Sequence, residues 1–82
     1  MEIDIIALDE NTDEIFFCEV KWSDLKRREA EKLLESLVAK AELMDWRRGN
    51  RTEYYGIIAR KIAGKEEFRD QGYVVYDLED MR

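Results

Sequence analysis

Two short apolar runs open the chain, IDIIAL at 3–8 and EIFFCEV at 14–20, and a polar segment separates them. Runs of this length that are rich in Ile, Phe and Val and bounded by Asp, Asn and Thr are typical of a β-hairpin. The turn lies either at Asn11-Thr12 or in a four-residue loop from Glu10 to Asp13. Both alternatives give the same register, in which Asp4 pairs with Glu19.

Apolar residues then recur every three or four positions from 30 to 44, which indicates one long amphipathic helix of about six turns. Ser23 is the predicted N-cap, with Asp24 in the first turn, where the helix dipole favours an acid. Two cations and two residues that accept a left-handed cap are predicted to end the helix: Arg47, Arg48, Gly49 and Asn50.

Three further segments complete the pattern. EYYGIIARKI at 53–62 and YVVYDL at 73–78 read as strands, and GKEEFRDQG at 64–72 reads as a short helix or turn. Gly56 indicates a bulge or a close backbone approach. The predicted fold is therefore α/β (α+β): residues 1–82 form one domain with a mixed sheet of about four strands, in the order β-β-α-β-(α)-β.

The two faces of the hairpin differ in polarity. One face is wholly apolar: Ile3, Ile5, Ala7, Phe16, Cys18, Val20 and Trp22. The other is apolar toward the turn and charged toward the open end: Ile6, Leu8, Ile15, Phe17, then Glu2, Asp4, Glu19 and Lys21. A sheet that is apolar on both faces needs cover on both, and the long helix can cover only one.

Composition narrows the range of functions. The chain has 82 residues, no His and a single Cys, which excludes His-based metal sites, His general bases and an internal disulfide. Charged residues make up 41% of the chain, a level resembling that of proteins from hot environments. No apolar run is long enough to cross a membrane and no signal-peptide pattern is present, so we expect a cytoplasmic protein.

Charge is distributed unevenly along the chain. The net charge is −6, but residues 1–20 carry −7, residues 21–61 carry +4 and residues 62–82 carry −3. The basic surplus is concentrated in KRR at 26–28 and RRGNR at 47–51. Lys26, Arg27 and Arg28 are therefore candidates for contacts with nucleic-acid phosphates, although such a run also suits a solvated helix face.

The charged end of the hairpin is the candidate site. Cross-strand neighbours such as Asp4 and Glu19 have Cβ atoms only about 4.5–5.5 Å apart, and two opposed carboxylates destabilise a strand pair unless a cation lies between them. Lys21, on the same face, supplies one positive charge. Mg²⁺ or Mn²⁺ would supply more, since hard cations prefer carboxylate, carbonyl and water oxygens. Glu2 is either a third ligand or the solvated end of the strand.

The hairpin EID…EVK resembles the metal-binding and catalytic motif of the PD-(D/E)XK nuclease superfamily, which has the restriction-endonuclease-like fold. The whole chain, from EIDIIALDENTDEIFFCEVKW through YYGIIAR to YVVYDLEDM, is similar to the C-terminal domain of unknown function attached to archaeal ATPases. The resemblance implies that Asp4 and Glu19 bind the metal, that the Val20 carbonyl is a further ligand, and that Lys21 is the catalytic lysine.

The family core begins with a helix and a strand that have no counterpart here. We expect the missing helix to leave the face of Ile6, Leu8, Ile15 and Phe17 uncovered, and a second copy of the chain to cover it in a homodimer. Two functions remain open: a divalent-metal endonuclease acting on DNA, and a non-catalytic dimerisation or interaction domain derived from the C-terminus of an archaeal ATPase, with an ATPase as a further partner.

The other large side chains are interpreted as structural. Cys18 is expected in the core, and Trp22 and Trp46 are expected to anchor the long helix. The four tyrosines could stack on nucleic-acid bases, but aromatic residues in strands usually pack in the core: Tyr54, Tyr55, Tyr73 and Tyr76.

Overall fold

A computed structural model describes residues 3–47 and 49–81, which form a four-stranded sheet and two helices. The elements, in chain order, are β1 (Ile5–Asp9), β2 (Glu14–Leu25), α1 (Arg27–Ala41), β3 (Thr52–Ile62), α2 (Lys65–Asp70), β4 (Val74–Tyr76) and a 3₁₀ helix (Leu78–Met81). The strands lie in sequence order; β1 is antiparallel to β2, while β2, β3 and β4 run parallel. The predicted fold class, element order and single long helix are confirmed.

The hairpin has the predicted register. Ile5 pairs with Cys18 and Asp9 pairs with Glu14, so the four-residue alternative for the loop is the correct one. Asp13 adopts the left-handed conformation, with φ of 57°, and allows the chain to re-enter the sheet. Arg47 forms an ion pair with Asp13 and thereby ties the loop to the segment after α1.

The predicted start of the long helix was wrong. β2 continues through Ser23 and Asp24 to Leu25, and α1 begins only at Arg27. The backbone N–H of Lys26, the N-cap residue, donates to Glu29 Oε1 at 3.0 Å. Pairing with β3, which resumes at Asp24 after an irregularity, overrides the local preference of Ser23 and Asp24 for a helix start.

The predicted end of the helix was also wrong. α1 ends at Ala41, before Met44, and it is closed by a buried arginine from the start of the next strand. The Arg51 guanidinium donates to the carbonyl oxygens of Ala41 (2.8 Å), Met44 (2.7 Å) and Trp46 (2.7 Å). Three of the predicted terminators lie in the turn that follows α1: Arg47, Gly49 and Asn50. The fourth, Arg48, lies outside the described residues.

Both helices pack on one face of the sheet, and this is the face that carries Glu19. The core consists of apolar side chains from that face and from the helices, including Ile15, Phe17, Leu34, Leu37, Ile57 and Phe68. The expectation that the face of Ile6, Leu8, Ile15 and Phe17 is uncovered was therefore wrong. Ile15 and Phe17 are buried and Ile6 packs against the core, whereas Leu8 is 45% exposed. The β2-α1-β3 crossover decides the side, since right-handed connections between parallel strands place the helix on one face only.

The opposite face of the sheet, here termed the open face, has no helix packed on it within residues 3–47 and 49–81. It carries Ile5, Ala7, Phe16, Val20, Trp22, Tyr54, Ile58, Val74 and Tyr76. Trp22 is 63% exposed and does not anchor α1, contrary to the prediction, whereas Trp46 packs against the core as predicted. Tyr54 and Tyr76 are exposed on this face, so their assignment to the core was wrong.

The remaining aromatic predictions and those for Cys18 and Gly56 hold. Tyr55 stacks on Phe17 with ring centroids 5.7 Å apart, and Tyr73 packs edge-on against Phe68. Cys18 is buried. Gly56 is a close approach, because a Cβ there would lie 2.5 Å from the Val74 carbonyl oxygen and 2.8 Å from the ring of Phe16.

A network of ion pairs fastens the C-terminal segment to β3 and α2. Asp77, only 1% exposed, accepts hydrogen bonds from Lys65 Nζ at 2.9 Å and from the Ile62 amide at 3.2 Å. Asp80 forms an ion pair with Arg69 at 2.9 Å and accepts a hydrogen bond from the backbone N–H of Asp77. The network satisfies a buried carboxylate on both oxygens. In the described residues no helix is long and apolar enough to cross a membrane.

Candidate functional site

Asp4 lies directly before the first residue of β1 and opposite Glu19. The register that pairs Ile5 with Cys18 brings Asp4 level with Glu19 when it is continued by one step. The backbone N–H of Val20 donates to Asp4 Oδ2 at 2.9 Å. If β1 were longer, its backbone would accept this hydrogen bond from β2; here the Asp4 carboxylate accepts it instead. The bond holds Asp4 at the open end of the hairpin, here termed the rim.

The surroundings of Asp4 favour its ionised form. The Val20 amide is the largest influence and lowers the pKa of the Asp4 carboxyl below its ordinary value of 3.8. Desolvation opposes this shift, while a side-chain hydrogen bond with Glu19 and the positive charges of Lys21 and Lys40 lower the pKa of Asp4 further. Glu19, Lys21 and Lys40 therefore all act on the Asp4 carboxyl at this end of the hairpin.

Glu19 lies on β2 and points toward α1. It is 8% exposed, and its Oε1 lies 3.4 Å from Nζ of Lys40, near the C-terminal end of the helix. Lys40 was not among the residues identified from the sequence. A signal was present, however, because Lys40 follows Leu37 by three residues and Leu33 by seven, and so interrupts the apolar stripe of the helix with a cation.

Lys21 lies two residues beyond Glu19 and is exposed. With Ser23 and Leu25 of β2 it borders a depression of about 360 Å³, whose other wall is formed by the first turns of α1. Glu29, Lys32 and Leu33 contribute that wall. Neither Asp4 nor Glu19 lines the depression, which carries the ammonium groups of Lys21 and Lys32 and the carboxylate of Glu29. Its two ammonium groups exceed its one carboxylate, a balance that favours an anionic ligand.

The donor set is compatible with a hard divalent cation that keeps most of its water. Among residues 3–47 and 49–81, no group of three or more His, Cys, Asp or Glu side chains could enclose a metal ion. Two carboxylates, from Asp4 and Glu19, remain as ligands, and Mg²⁺ commonly binds proteins through one or two carboxylates and several waters. Glu2, considered as a third ligand, lies outside the described residues.

The Cys18 thiol and the Tyr55 phenol are protonated at neutral pH. Burial, and then the negative charges of Glu19 and Asp4, raise the pKa of the Cys18 thiol to about 11. Burial likewise raises the pKa of Tyr55 to about 12. Since a thiol reacts as its thiolate, Cys18 is a core residue here and not a candidate nucleophile.

The predicted phosphate contacts lie at the start of α1. Lys26, Arg27 and Arg28 are exposed, but Arg27 forms ion pairs with Glu31 and Glu67. Arg27 is thereby directed toward α2. None of the three borders the depression beside Lys21, so their contact with nucleic acid stays a prediction.

Comparison with known proteins gives a family likeness without an assigned function. Residues 1–33, which include Asp4, Glu19 and Lys21, match the model of a family described as archaea bacterial proteins of unknown function. The chain is also similar to an uncharacterized protein of Methanocaldococcus jannaschii, with 39% identity over 79 residues that cover 96% of this chain. The chain spans 17% of that relative's length. No solved structure matches the chain.

Proposed function

We propose that the chain is a divalent-metal-dependent endonuclease domain that hydrolyses phosphodiester bonds in DNA. The observation that carries this proposal is the hairpin register, which brings Asp4, Glu19 and Lys21 to one rim. A hairpin followed by a parallel strand-helix-strand unit is also the arrangement expected from the resemblance to PD-(D/E)XK nucleases. The match to a family over residues 1–33 includes this hairpin.

Each residue has a distinct role in this proposal. Asp4 and Glu19 hold the cation, with the Val20 carbonyl as a further ligand. Mg²⁺ or Mn²⁺ held by these residues would supply a more acidic bound water and a positive charge next to the phosphate. Lys21 places an ammonium beside the same rim, where it neutralises the charge that develops as the phosphodiester bond breaks.

Metal binding provides the first test. We expect isothermal titration calorimetry to show Mn²⁺ binding to the unmodified chain and its loss in Asp4→Ala and in Glu19→Ala, because each variant removes one of the two carboxylate ligands. Glu66→Ala is the control: it removes an equal charge from an exposed position on α2 and should leave the binding heat unchanged. Absence of binding to the unmodified chain at millimolar Mn²⁺ would contradict the proposal.

A second candidate function is a non-catalytic dimerisation module belonging to a longer ATPase-type protein. The open face favours it, since about nine apolar or aromatic side chains form one surface on the bare side of the sheet. Patches of this kind, at roughly 300–600 Å², commonly mark interaction sites. Two copies joined through it would bury on the order of 1,000 Å² in total, the lower end for specific interfaces.

The two ends of the open face carry groups of opposite charge. By register, Glu14 lies at the end near the hairpin loop and Arg60 lies at the opposite end. A two-fold axis that sets the strands of the two copies antiparallel would bring the Glu14 of each copy toward the Arg60 of the other, which pairs with Asp24 of its own chain at 2.7 Å. Such isologous pairing is the commonest symmetry of soluble oligomers.

Sedimentation tests this module directly. We expect analytical ultracentrifugation to show a concentration-dependent shift from monomer to dimer at micromolar to millimolar protein, and Trp22→Glu to abolish that shift by placing a charge in the apolar surface. Leu43→Glu is the matched control, because Leu43 is 70% exposed but lies after α1, away from the open face. A monomer mass at every concentration would exclude the dimer.

A further inference from the structure

Lys40 is the one basic residue that directly contacts a candidate metal ligand among the described ion pairs. Its ammonium lies 3.4 Å from Glu19 Oε1, and the Glu19 side chain is 10% exposed against 33% for Lys40. Its positive charge also acts on the Asp4 carboxyl. A single ammonium group therefore serves both carboxylates of the site.

The physical need for this cation follows from burial. When both are ionised, two carboxylates held close together, one of them almost fully buried, repel each other and are poorly hydrated unless a positive charge is near. Lys40 reaches them from α1, on the apolar stripe of the helix, where a lysine loses part of its own hydration. A divalent cation bound to the same carboxylates would also neutralise their charge. The bound cation and the Lys40 ammonium would then repel each other.

We propose that Lys40 is a built-in counter-ion that competes with the divalent cation for Glu19, so that metal binding must displace its ammonium from the carboxylate. This inference rests on the proposed metal-binding function. It assigns Lys40 a role in setting metal affinity: the site stays neutralised at low metal concentration and takes up the cation only when the metal outcompetes the lysine.

Lys40 and Lys21 are thereby distinguished. Lys21 is exposed at the edge of the depression, whereas Lys40 is in contact with Glu19. Removal of Lys21, which acts on Asp4 and does not contact Glu19, is expected to affect turnover and to change metal affinity less than removal of Lys40 does. Removal of Lys40 is expected to affect metal affinity itself, since it deletes the competitor.

The experiment is a Mn²⁺ titration followed by electron paramagnetic resonance, together with thermal unfolding of each protein with and without Mn²⁺. Lys40→Gln should bind Mn²⁺ about three- to tenfold more tightly than the unmodified chain, as expected when a partly screened neighbouring charge is removed. Without metal, Lys40→Gln should have a lower melting temperature than the unmodified chain. Addition of Mn²⁺ should raise its melting temperature by more than it raises that of the unmodified chain. Lys40→Arg, which keeps the charge, should match the unmodified affinity within about twofold.

Lys40→Met provides a second route if the glutamine variant folds poorly, because methionine keeps the length and packing of the side chain without its charge. Equal Mn²⁺ affinity in the unmodified chain and in a charge-removing variant that folds would overturn the inference. The proposed function would survive that result as long as Glu19→Ala abolished binding. Failure of every folded protein to bind Mn²⁺ would overturn both.

Discussion

Replacing Lys21 with alanine is expected to lower the rate of Mg²⁺-dependent plasmid nicking by a factor of about 100 to 1,000. The reason is electrostatic: an ammonium group positioned beside a developing phosphate charge typically contributes that much to the rate. Lys21 is exposed and its charge acts on the Asp4 carboxyl, so its loss removes a positive charge from the site and leaves the core and the hairpin register intact. The measurement is the rate of conversion of supercoiled to open-circular DNA.

Arg47→Ala is the matched control for this variant. Arg47 is a cation at the opposite end of the hairpin, where it pairs with Asp13, and its removal should change the nicking rate by less than about threefold since it lies far from the site. Lys21→Ala should also change the Mn²⁺ affinity by less than Lys40→Gln does, because Lys21 does not contact Glu19. A nicking rate equal to that of the unmodified chain would show that Lys21 has no part in turnover.

The second large effect is on stability. Asp77→Ala is expected to lower the free energy of unfolding by about 3 kcal/mol, because it leaves the Lys65 ammonium without its buried partner and the Ile62 amide without an acceptor. That is a large share of the total for a chain of this size, roughly 4–12 kcal/mol. Urea denaturation monitored by circular dichroism measures it directly.

Glu79→Ala supplies the comparison for Asp77. Glu79 lies 3.5 Å from the same lysine, but its side chain is 68% exposed, so its removal should cost no more than about 0.5 kcal/mol. If the two variants lost equal free energy of unfolding, the burial of Asp77 would add nothing to its contribution to stability.

The same network predicts the dependence of stability on pH. Hydrogen bonds and ion pairs hold the pKa values of Asp77 and Asp80 below their ordinary value of 3.8, so this contribution is present above pH 3.8 and is lost as the pH falls further. The hydrogen bond to Asp77 raises the pKa of Lys65 above 10.5, so its contribution is present below that pH and is lost above it. As the pH falls below 3.8, the free energy of unfolding of Asp77→Ala should therefore decrease less than that of the unmodified chain.

The hairpin and the long helix could be predicted from the sequence, because each depends on a pattern among residues close together in the chain. The short polar segment between residues 3–8 and 14–20 predicted the hairpin and its register, because either position of the turn pairs the same residues. The stripe from Ala30 to Ala41 likewise predicted α1. These patterns need no knowledge of distant residues.

What could not be predicted depends on distant partners. Ser23 and Asp24 resemble a helix start, but pairing of β2 with β3 keeps them extended, and that partner begins 29 residues after Ser23, at Thr52. Both hairpin faces are apolar near the loop, so the sequence alone could not decide which one α1 covers. The wrong face was therefore predicted to be uncovered, and Trp22 was wrongly predicted to pack against α1.

The candidate site divides in the same way. Asp4, Glu19 and Lys21 could be grouped because alternation along two paired strands determines their common edge. Lys40 could not be placed with them, since its contact with Glu19 depends on how α1 lies across the sheet. Its position on an apolar stripe marked it as unusual without identifying its partner.

Anomalous X-ray diffraction from crystals soaked in Mn²⁺ tests the central claim most directly. The account predicts one strong anomalous peak at the rim of the hairpin, about 2.0–2.3 Å from a carboxylate oxygen of Asp4 and from one of Glu19. Absence of a peak at saturating Mn²⁺, or a peak that contacts neither carboxylate, would contradict it.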